Sequence, residues 1–381
     1  MKRGWEVKKI SEIGNIYNGN SINEEVKKDK YTGIKDGLPY IATKDVSYES
    51  IINYENGVKI PFEEISLFKI APKNTVLICA EGGSAGRKIG FTNQDICFGN
   101  KLFATTTNKN AESRFVYYYY FSSIFQKYFS TELAGLIGGV SMNKFKDIEI
   151  PLPSLTEQQR IVAVLDKVFV TLAKAKESVE KNLQNNRELF NSYLQSVFVD
   201  SGIGWEKKKL GEVVKLEYGK PLPDDKRIPN GKYPVYGANG EKDRTDEFYY
   251  DKPSIIVGRK GSAGEVNLTE KRFWPLDVTY FVTFDDKKYT LEFLHNLLLT
   301  LNLRKLAKGV KPGINRNEVY EIRVNIPPIP EQKRIVVKFV ALSGETKKLE
   351  AIYQKKLIDL EELKKSILQK AFAGELTGAC S

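Results

Sequence analysis

Apolar residues recur at alternating steps of three and four in two long stretches of the chain. The first register runs from Leu165 to Tyr193 and the second from Phe339 to Ile367, with mainly Lys, Glu, Asn and Gln between. This spacing predicts two amphipathic helices of roughly 40 residues, each about 60 Å long. We expect the seam between them to contain Leu165, Val168, Leu172, Val179, Leu189, Phe339, Leu342, Leu349, Tyr353, Leu360 and Leu363.

The two helical stretches belong to an internal repeat. The segment GWEVKKISEI at 4–13 returns as GWEKKKLGEV at 204–213. From Asn143 onward the offset between the copies is 174, so EQQRIV at 157–162 returns as EQKRIV at 331–336. A shorter motif, Ser-Ala-Gly, lies in a glycine-rich stretch of each copy, at 84–86 and 262–264. A repeat of this length fixes the architecture before any single residue is considered.

The repeat predicts the order globular part, long helix, globular part, long helix. Because each helix leads away from its own globular part, we expect the helices to form an antiparallel coiled coil, with a pseudo-two-fold axis and the globular parts at opposite ends. An ordinary helical bundle or a homodimerisation stalk is the alternative. The predicted boundaries are 1–153, 154–200, 201–328 and 329–376, with a tail at 377–381.

Composition narrows the class of partner. The chain has 59 Lys and Arg against 48 Asp and Glu, a net charge of +11, which favours a polyanion such as nucleic acid. Its three cysteines show no CxxC spacing, so neither a disulfide framework nor a zinc site is indicated, and a cytoplasmic location fits best. No signal peptide or run of about 18 apolar residues is present, so we expect no membrane association.

These motifs resemble the specificity subunits of type I restriction-modification systems. The resemblance rests on both Gly-Trp-Glu openings, both proline-led Glu-Gln-x-Arg-Ile-Val segments and the Gly-Arg-Lys-Gly-Ser-Ala-Gly stretch at 258–264. It implies a mixed α/β fold with two α/β target-recognition domains, each reading one half of a bipartite site in double-stranded DNA. The helices would act as spacer and as docking surface for two modification subunits.

The resemblance also implies that this chain carries no catalytic residue, metal or cofactor. S-adenosylmethionine, ATP and magnesium would belong to the partners, namely two modification subunits and two restriction subunits that translocate and cut DNA. The isolated chain could be a monomer or a homodimer. In the first domain the basic pair follows the glycines, whereas in the second it precedes them, so DNA contacts are not expected to correspond residue for residue.

Cations in glycine-rich turns are the leading candidates for DNA contacts, because backbone N–H groups can approach phosphate there while arginine can read guanine. A plain turn with solvated charges is the alternative for each of them. The leading candidates are Arg87, Lys88, Arg259 and Lys260. Further candidates in polar, turn-rich segments are Lys44, Lys101, Lys226, Arg227, Arg244, Lys311 and Arg316.

Other features are better explained by packing than by chemistry. The run Tyr117 to Phe121 could form a base-stacking platform, but its aliphatic counterpart around Leu294 favours a core helix in each copy. His295, the only histidine, lacks metal-ligating neighbours, which favours a structural role. No methyltransferase or phosphate-loop motif is present. The remaining alternatives are a coiled-coil scaffold that binds proteins and a self-contained DNA enzyme.

Overall fold

A computed structural model describes residues 4–133, 138–199, 202–269 and 271–376. The chain forms two compact units. Unit 1 combines Met1–Ser178 with Lys356–Ser381, and unit 2 is Val179–Lys355. Each unit therefore contains one globular part and a portion of both long helices. The predicted tail at 377–381, including Cys380, lies outside the described residues.

The globular part of unit 1 is mixed α/β. Its strands are β1 (Glu6–Lys9), β2 (Gly14–Asn18), β3 (Leu38–Ile41), β4 (Lys59–Ile60), β5 (Ile70–Ala71), β6 (Val76–Cys79), β7 (Ile89–Phe91), β8 (Ile96–Phe98), β9 (Leu102–Thr107) and β10 (Glu149–Leu152). Its helices are α1 (Ile10–Ile13), α2 (Glu24–Val26), α3 (Ser113–Tyr120), α4 (Ser123–Thr131) and α5 (Met142–Lys146). The strands form the pair β1-β10 and two four-stranded sheets, β2-β9-β6-β7 and β4-β3-β8-β5.

Unit 2 repeats this plan with fewer strands. After α6 (Leu155–Val199) come β11 (Glu206–Lys209), α7 (Leu210–Val213), β12 (Lys215–Tyr218), β13 (Tyr233–Gly237), β14 (Gly240–Thr245), β15 (Ser254–Gly258), β16 (Val266–Thr269), β17 (Trp274–Pro275), β18 (Thr279–Thr283), α8 (Leu291–Thr300), α9 (Arg316–Tyr320), β19 (Arg323–Ile326) and α10 (Ile329–Ala373). The pair β11-β19 and the sheet β12-β18-β15-β16 match their counterparts in unit 1. The third sheet, β14-β13-β17, is smaller than its counterpart.

The two long helices are each 45 residues long. Within unit 1, Lys176 of α6 donates to Glu361 of α10 across 3.1 Å. Within unit 2, the rings of Tyr193 and Phe339 lie 6.0 Å apart. The later residue of α6 thus meets the earlier residue of α10, so the helices run antiparallel. The predicted fold class, two α/β parts with a pair of antiparallel long helices, is confirmed.

The seam differs in detail from the predicted one. Leu189 is 70% exposed, and Leu349 and Leu363 are 40% and 47% exposed, so these three predictions are wrong. The inward face instead passes through adjacent positions such as Phe190, because an α-helix has 3.6 residues per turn and drifts away from a strict seven-residue repeat. Leu165 and Phe339 are buried. The remaining predicted seam residues, Val168, Leu172, Val179, Leu342, Tyr353 and Leu360, are half-buried.

The end of each long helix completes the core of a globular part. In unit 1, Phe372 of α10 packs on Phe115 of α3, with ring centroids 5.1 Å apart. In unit 2, Phe198 of α6 packs on Phe293 of α8, with ring centroids 5.6 Å apart. Phe198 and Phe372 occupy equivalent positions of the two copies, so the repeat preserves this contact. Among the described helices, none is long and apolar enough to cross a membrane.

Candidate nucleic-acid interface

A tight glycine turn follows β15 in unit 2. The Gly264 amide donates to the Gly258 carbonyl at 2.8 Å, which closes the turn. Gly264 has a φ of +85°, and a Cβ there would lie 2.4 Å from the Arg304 backbone nitrogen. Only glycine meets both requirements. Arg259 and Lys260 therefore leave the end of the strand on a fixed backbone.

The corresponding turn follows β6 in unit 1. The Gly86 amide donates to the Cys79 carbonyl at 2.8 Å, and Gly86 has a φ of +73°. A Cβ at Gly86 would lie 2.6 Å from the Phe129 ring, so the turn also packs against α4. Arg87 and Lys88 follow directly. They therefore follow the closed turn, whereas Arg259 and Lys260 lie within theirs.

A second loop braces each turn. The Gly82 amide donates to the Gly138 carbonyl at 2.8 Å, and the Gly261 amide donates to the Pro312 carbonyl at 2.8 Å. Gly138 and Pro312 are separated by the repeat offset, so they occupy the same place in the two copies. The two units therefore share one backbone frame around the candidate interface. A frame made of backbone bonds can keep its shape while its side chains change.

In unit 2 the frame gathers arginines around a tyrosine. Tyr218, at the end of β12, is 45% exposed. The guanidinium carbons of Arg316 and Arg259 lie 4.8 and 5.2 Å from the centre of its ring. Cations at this distance are attracted to the face of an aromatic ring, which limits the orientations that the arginines adopt. The two guanidinium groups are thus preorganised.

Arg259 is incompletely satisfied. Its Nε is buried and has no hydrogen-bond partner in the described part of the chain. Leaving a buried donor unpaired costs about 1 to 3 kcal/mol. An unpaired donor on an arginine in a braced turn is the kind of defect that a bound partner can repair. Of the residues that the structure describes, Arg227 also has a buried Nε without a hydrogen-bond partner, so it is the position of Arg259 in the braced turn beside Tyr218 that makes Arg259 a leading candidate for a ligand contact.

Two predicted lysines lie beside this cluster. Lys260 forms an isolated bridge with Gly313, so its backbone touches the loop that carries Lys311. That loop is closed by reciprocal backbone hydrogen bonds of 3.0 Å between Lys308 and Gly313. Lys260 and Lys311 are both exposed. The structure thus brings four of the predicted cations of unit 2 to one place: Arg259, Lys260, Lys311 and Arg316.

In unit 1 a different tyrosine collects the cations. Arg87 and Lys88 lie 5.4 and 5.2 Å from the centre of the Tyr48 ring, and Tyr48 is 54% exposed. The Tyr48 hydroxyl is within hydrogen-bond distance of the Ser84 hydroxyl, at 3.2 Å. Ser84 belongs to the glycine-rich turn. Tyr48 and the turn therefore form one surface.

The remaining predicted cations of unit 1 lie near this surface. The Ala80 amide donates to the Lys101 carbonyl at 2.9 Å, and the Lys88 ammonium donates to the Thr43 carbonyl at 3.0 Å. Lys44, the next residue, is exposed. Burial raises the pKa of the Cys79 thiol, which lies at the end of β6 where the turn begins.

Three predicted DNA contacts in unit 2 have acidic partners within the chain. Lys226 pairs with Glu247 at 2.7 Å. Arg227 Nη1 lies 3.4 Å from Asp243, and Arg244 Nη1 lies 2.9 Å from Glu241. These cations hold neighbouring loops together, which a reading of their polar, turn-rich segments could not reveal. Their geometry does not support the prediction that they bind DNA.

The aromatic run of α3 is a core helix, as expected from its apolar counterpart. Tyr118, Tyr119 and Tyr120 are buried, and burial raises the pKa of each. Burial also lowers the pKa of His295 in α8. Among the described residues, no group of three or more His, Cys, Asp and Glu side chains could hold a metal ion. Tyr48 and Tyr218, the two ring platforms, were not predicted from the sequence.

Comparison with known proteins matches this arrangement to one family. The model of the type I restriction modification DNA specificity domain matches residues 2–181 and again 202–358. The chain belongs to this family. The two matches correspond to the two copies of the repeat, so each copy is one specificity domain.

Named relatives share most of its length. The MjaIX specificity subunit of a type I restriction enzyme from Methanocaldococcus jannaschii is 25% identical, with coverage of 99% of this chain and 94% of the relative. The EcoprrI specificity subunit from Escherichia coli is 23% identical, with coverage of 85% and 84%. Each relative contributes more than four-fifths of its own length to the match.

Solved structures share the fold. A chain from work on complex assembly and conformational transition of the type I R-M system has a TM-score of 0.81, at 18% identity, over 99% of both chains. The HsdS subunit from Thermoanaerobacter tengcongensis has a TM-score of 0.61, also at 18% identity, over 99% of this chain and 98% of that subunit.

Proposed function

We propose that this chain is the specificity subunit of a type I restriction-modification enzyme and reads a bipartite DNA sequence. The observation that carries the proposal is the braced glycine turn, present in both units, that presents cations against an exposed tyrosine. Arginine can bind guanine through two parallel hydrogen bonds, and lysine and backbone N–H groups can bind phosphates. Each unit thus has the chemistry of a DNA reader.

The two readers should recognise different bases. Unit 1 presents Arg87 and Lys88 on Tyr48, whereas unit 2 presents Arg259 and Arg316 on Tyr218. Because direct readout depends on where each donor meets a base edge, unlike side chains on a common frame select unlike sequences. The target would consist of two dissimilar half-sites, and the gap between them would depend on the long helices.

The chain itself would be non-catalytic. Its relatives are named as specificity subunits of type I restriction enzymes, which implies that other subunits supply the chemistry. In our proposal two modification subunits bind S-adenosylmethionine and two restriction subunits use ATP and magnesium, while this chain positions them on DNA in the cytoplasm. The helices would be their docking surface.

A coiled-coil scaffold that binds proteins is the alternative. The net charge of +11 favours a polyanion over a protein partner of ordinary charge. A protein-binding scaffold would also not need two cationic turns with the same brace.

Methylation mapping tests the proposal. The full chain would be expressed with its modification subunits in cells without other adenine methylation, and methylated adenines would be located across the genome. We expect one motif made of two defined half-sites separated by undefined bases. Methylation that depends on one continuous sequence, or that is unchanged when this chain is omitted, would refute the proposal.

A further inference from the structure

A fully buried glutamine joins the first turn of α6 to the globular part of unit 1. Gln158 Oε1 accepts a hydrogen bond from the Glu112 amide at 2.8 Å. Its Nε2 donates to the Pro153 carbonyl at 2.9 Å and to the Asn110 carbonyl at 3.1 Å. The side chain has no exposed surface. Three backbone groups from two separate segments thus converge on a single amide.

The same arrangement occurs in unit 2. Gln332 Oε1 accepts from the Thr290 amide at 2.9 Å, and its Nε2 donates to the Pro327 carbonyl at 3.0 Å and the Lys288 carbonyl at 2.9 Å. Gln332 is also fully buried. It is the repeat equivalent of Gln158, and its partners hold the corresponding places in the second copy. We call each glutamine with its three partners a latch.

Each latch connects the start of a core helix in one globular part to the start of a long helix. Residues 110–112 lead into α3, and residues 288–290 lead into α8, which are core helices of the two globular parts. Pro153 and Pro327 each lie two residues before the first residue of a long helix. A primary amide supplies both the acceptor and the two donors that these groups need. The latch therefore ties the first turn of each long helix to its own globular part.

We infer that Gln158 and Gln332 are positioning residues that set the length of the undefined gap between the half-sites. This inference rests on the proposed function. One base pair of gap moves a half-site by about 3.4 Å and rotates it by about one-tenth of a turn around the duplex. A reader held rigidly on its helix rejects that displacement, whereas a reader that swivels on its helix accepts it.

Substitution of one latch at a time tests the inference in the full chain with its modification subunits. Gln158→Met and Gln332→Met keep the side-chain length but remove every hydrogen bond of one latch. Gln159→Met is the matched control, because Gln159 is exposed and adjacent. Methylation would be mapped for each variant and sorted by gap length.

We expect each latch variant to keep both half-sites but to methylate sites whose gap is one base pair longer or shorter. The preference for the original gap should fall about tenfold or more, because each variant loses three buried hydrogen bonds and a single one can supply about a factor of ten. Gln159→Met should keep the original preference. In Gln158→Asn the amide is one methylene closer to the backbone and cannot reach all three partners at once. This milder variant should show an intermediate loss of preference. It also replaces Gln158→Met if the methionine variant does not fold.

The outcomes separate the two proposals. If the unsubstituted chain yields no bipartite motif, both proposals fail. If it yields one, and the latch variants only reduce methylation at every site without changing the gap preference, the glutamines merely stabilise the fold and the positioning role is wrong. Thermal unfolding of each purified variant distinguishes that loss of stability from a change in gap preference.

Discussion

The two units share a backbone frame around the candidate interface, with a turn one residue longer in unit 1, and carry different side chains on it. Both brace a glycine turn with a loop from equivalent positions of the repeat, and both use a buried glutamine to hold the long helix. Yet the cations meet Tyr48 in unit 1 and Tyr218 in unit 2, which lie in different segments. Duplication has thus kept the backbone frame and changed the side chains of the candidate interface.

The contacts between the long helices also differ between the two units. In unit 2, the Asn186 side chain donates to the Thr346 carbonyl at 3.1 Å. The corresponding positions of unit 1 are Leu360 and Leu172. One helix pairing is therefore more polar than the other, although the helices have equal lengths. Polar positions in a coiled coil favour one register at some cost in stability.

The largest expected effect is a loss of stability in the core of one unit and not the other. Phe372→Ala should destabilise unit 1 by about 3 to 5 kcal/mol, because a fully packed aromatic ring is lost. The ring of Phe372 packs on the rings of Phe115 and Tyr119, with centroid distances of 5.1 and 5.3 Å. Hydrogen exchange followed by mass spectrometry would report the stability of each unit from its own peptides.

The counterpart in unit 2 supplies the control. Phe198→Ala should destabilise unit 2, and by a smaller amount, because Phe198 is 8% exposed whereas Phe372 is 2% exposed. If either substitution loosened both units equally, the helix ends would not belong to separate cores, and the comparison between units would fail.

The next effect concerns sequence reading. Arg259→Ala should relax one base position in one half-site, with a loss of discrimination of about 1 to 3 kcal/mol. Arg87→Ala should do so in the other half-site. Selection from random duplexes by the full chain with its modification subunits would measure both. Arg244→Ala is the matched control, since its guanidinium is held by Glu241 and by the Gly231 carbonyl. Equal effects of Arg244→Ala and Arg259→Ala would show that the glycine turn is not the reader.

A difference in pH response should distinguish the units further. The only histidine, His295, lies in unit 2, and burial lowers its pKa from the ordinary 6.5. The unfolded chain therefore binds a proton at this histidine more readily than the folded chain does. As a result, the free energy of unfolding is unaffected by this group above pH 6.5 and decreases as the pH falls towards the pKa of the folded state.

Unit 2 should therefore open more readily as the pH falls from about 7 to 5.5, whereas unit 1 has no histidine to respond in that range. Hydrogen exchange, corrected for intrinsic rates, would measure this response. His295→Gln should flatten it in unit 2 and leave unit 1 unchanged. A pH response of equal size in unit 1 would contradict this explanation.

Periodic patterns predicted the parts of the fold that depend on local sequence. The repeat offset of 174 predicted two helices of equal length, and both contain 45 residues. The pattern placed Leu189 on the stripe, but Leu189 is 70% exposed and the adjacent Phe190 is half-buried. Only the partner helix decides which of two adjacent apolar residues faces inward.

The candidate site was partly predictable. The glycine turns marked Arg259 and Arg87 because a sharp turn with a cation has a local signature. Tyr48 and Tyr218 had none, since a tyrosine becomes a platform only when the fold brings a cation onto its ring. Gln158 stood in a repeated motif, but its role depends on Asn110, which is distant along the chain. Such contacts are set by tertiary structure and leave no periodic trace.

The smallest expected effect concerns the ion pairs between the long helices. Unit 1 joins Lys176 to Glu361, and unit 2 joins Arg187 to Glu350 at 2.6 Å. In the repeat, Lys176 corresponds to Glu350 and Glu361 corresponds to Arg187, so equivalent positions carry opposite charges. In the same antiparallel register, two copies of α6 would place Lys176 against Arg187, and two copies of α10 would place Glu350 against Glu361. The charges therefore favour pairing of α6 with α10 over pairing of identical helices.

Arg187→Glu should weaken the helix pair of unit 2 by less than about 1 kcal/mol, because both partners are partly exposed to water. The double variant Arg187→Glu/Glu350→Arg should recover most of that loss, and high salt should reduce the difference between them. Thermal unfolding of the full chain at low and high salt measures both effects. Sedimentation supplies the sharper test: the single variant removes the repulsion between two α6 helices and should raise the dimer fraction, whereas an unchanged fraction would mean that these charges do not select the helix partner.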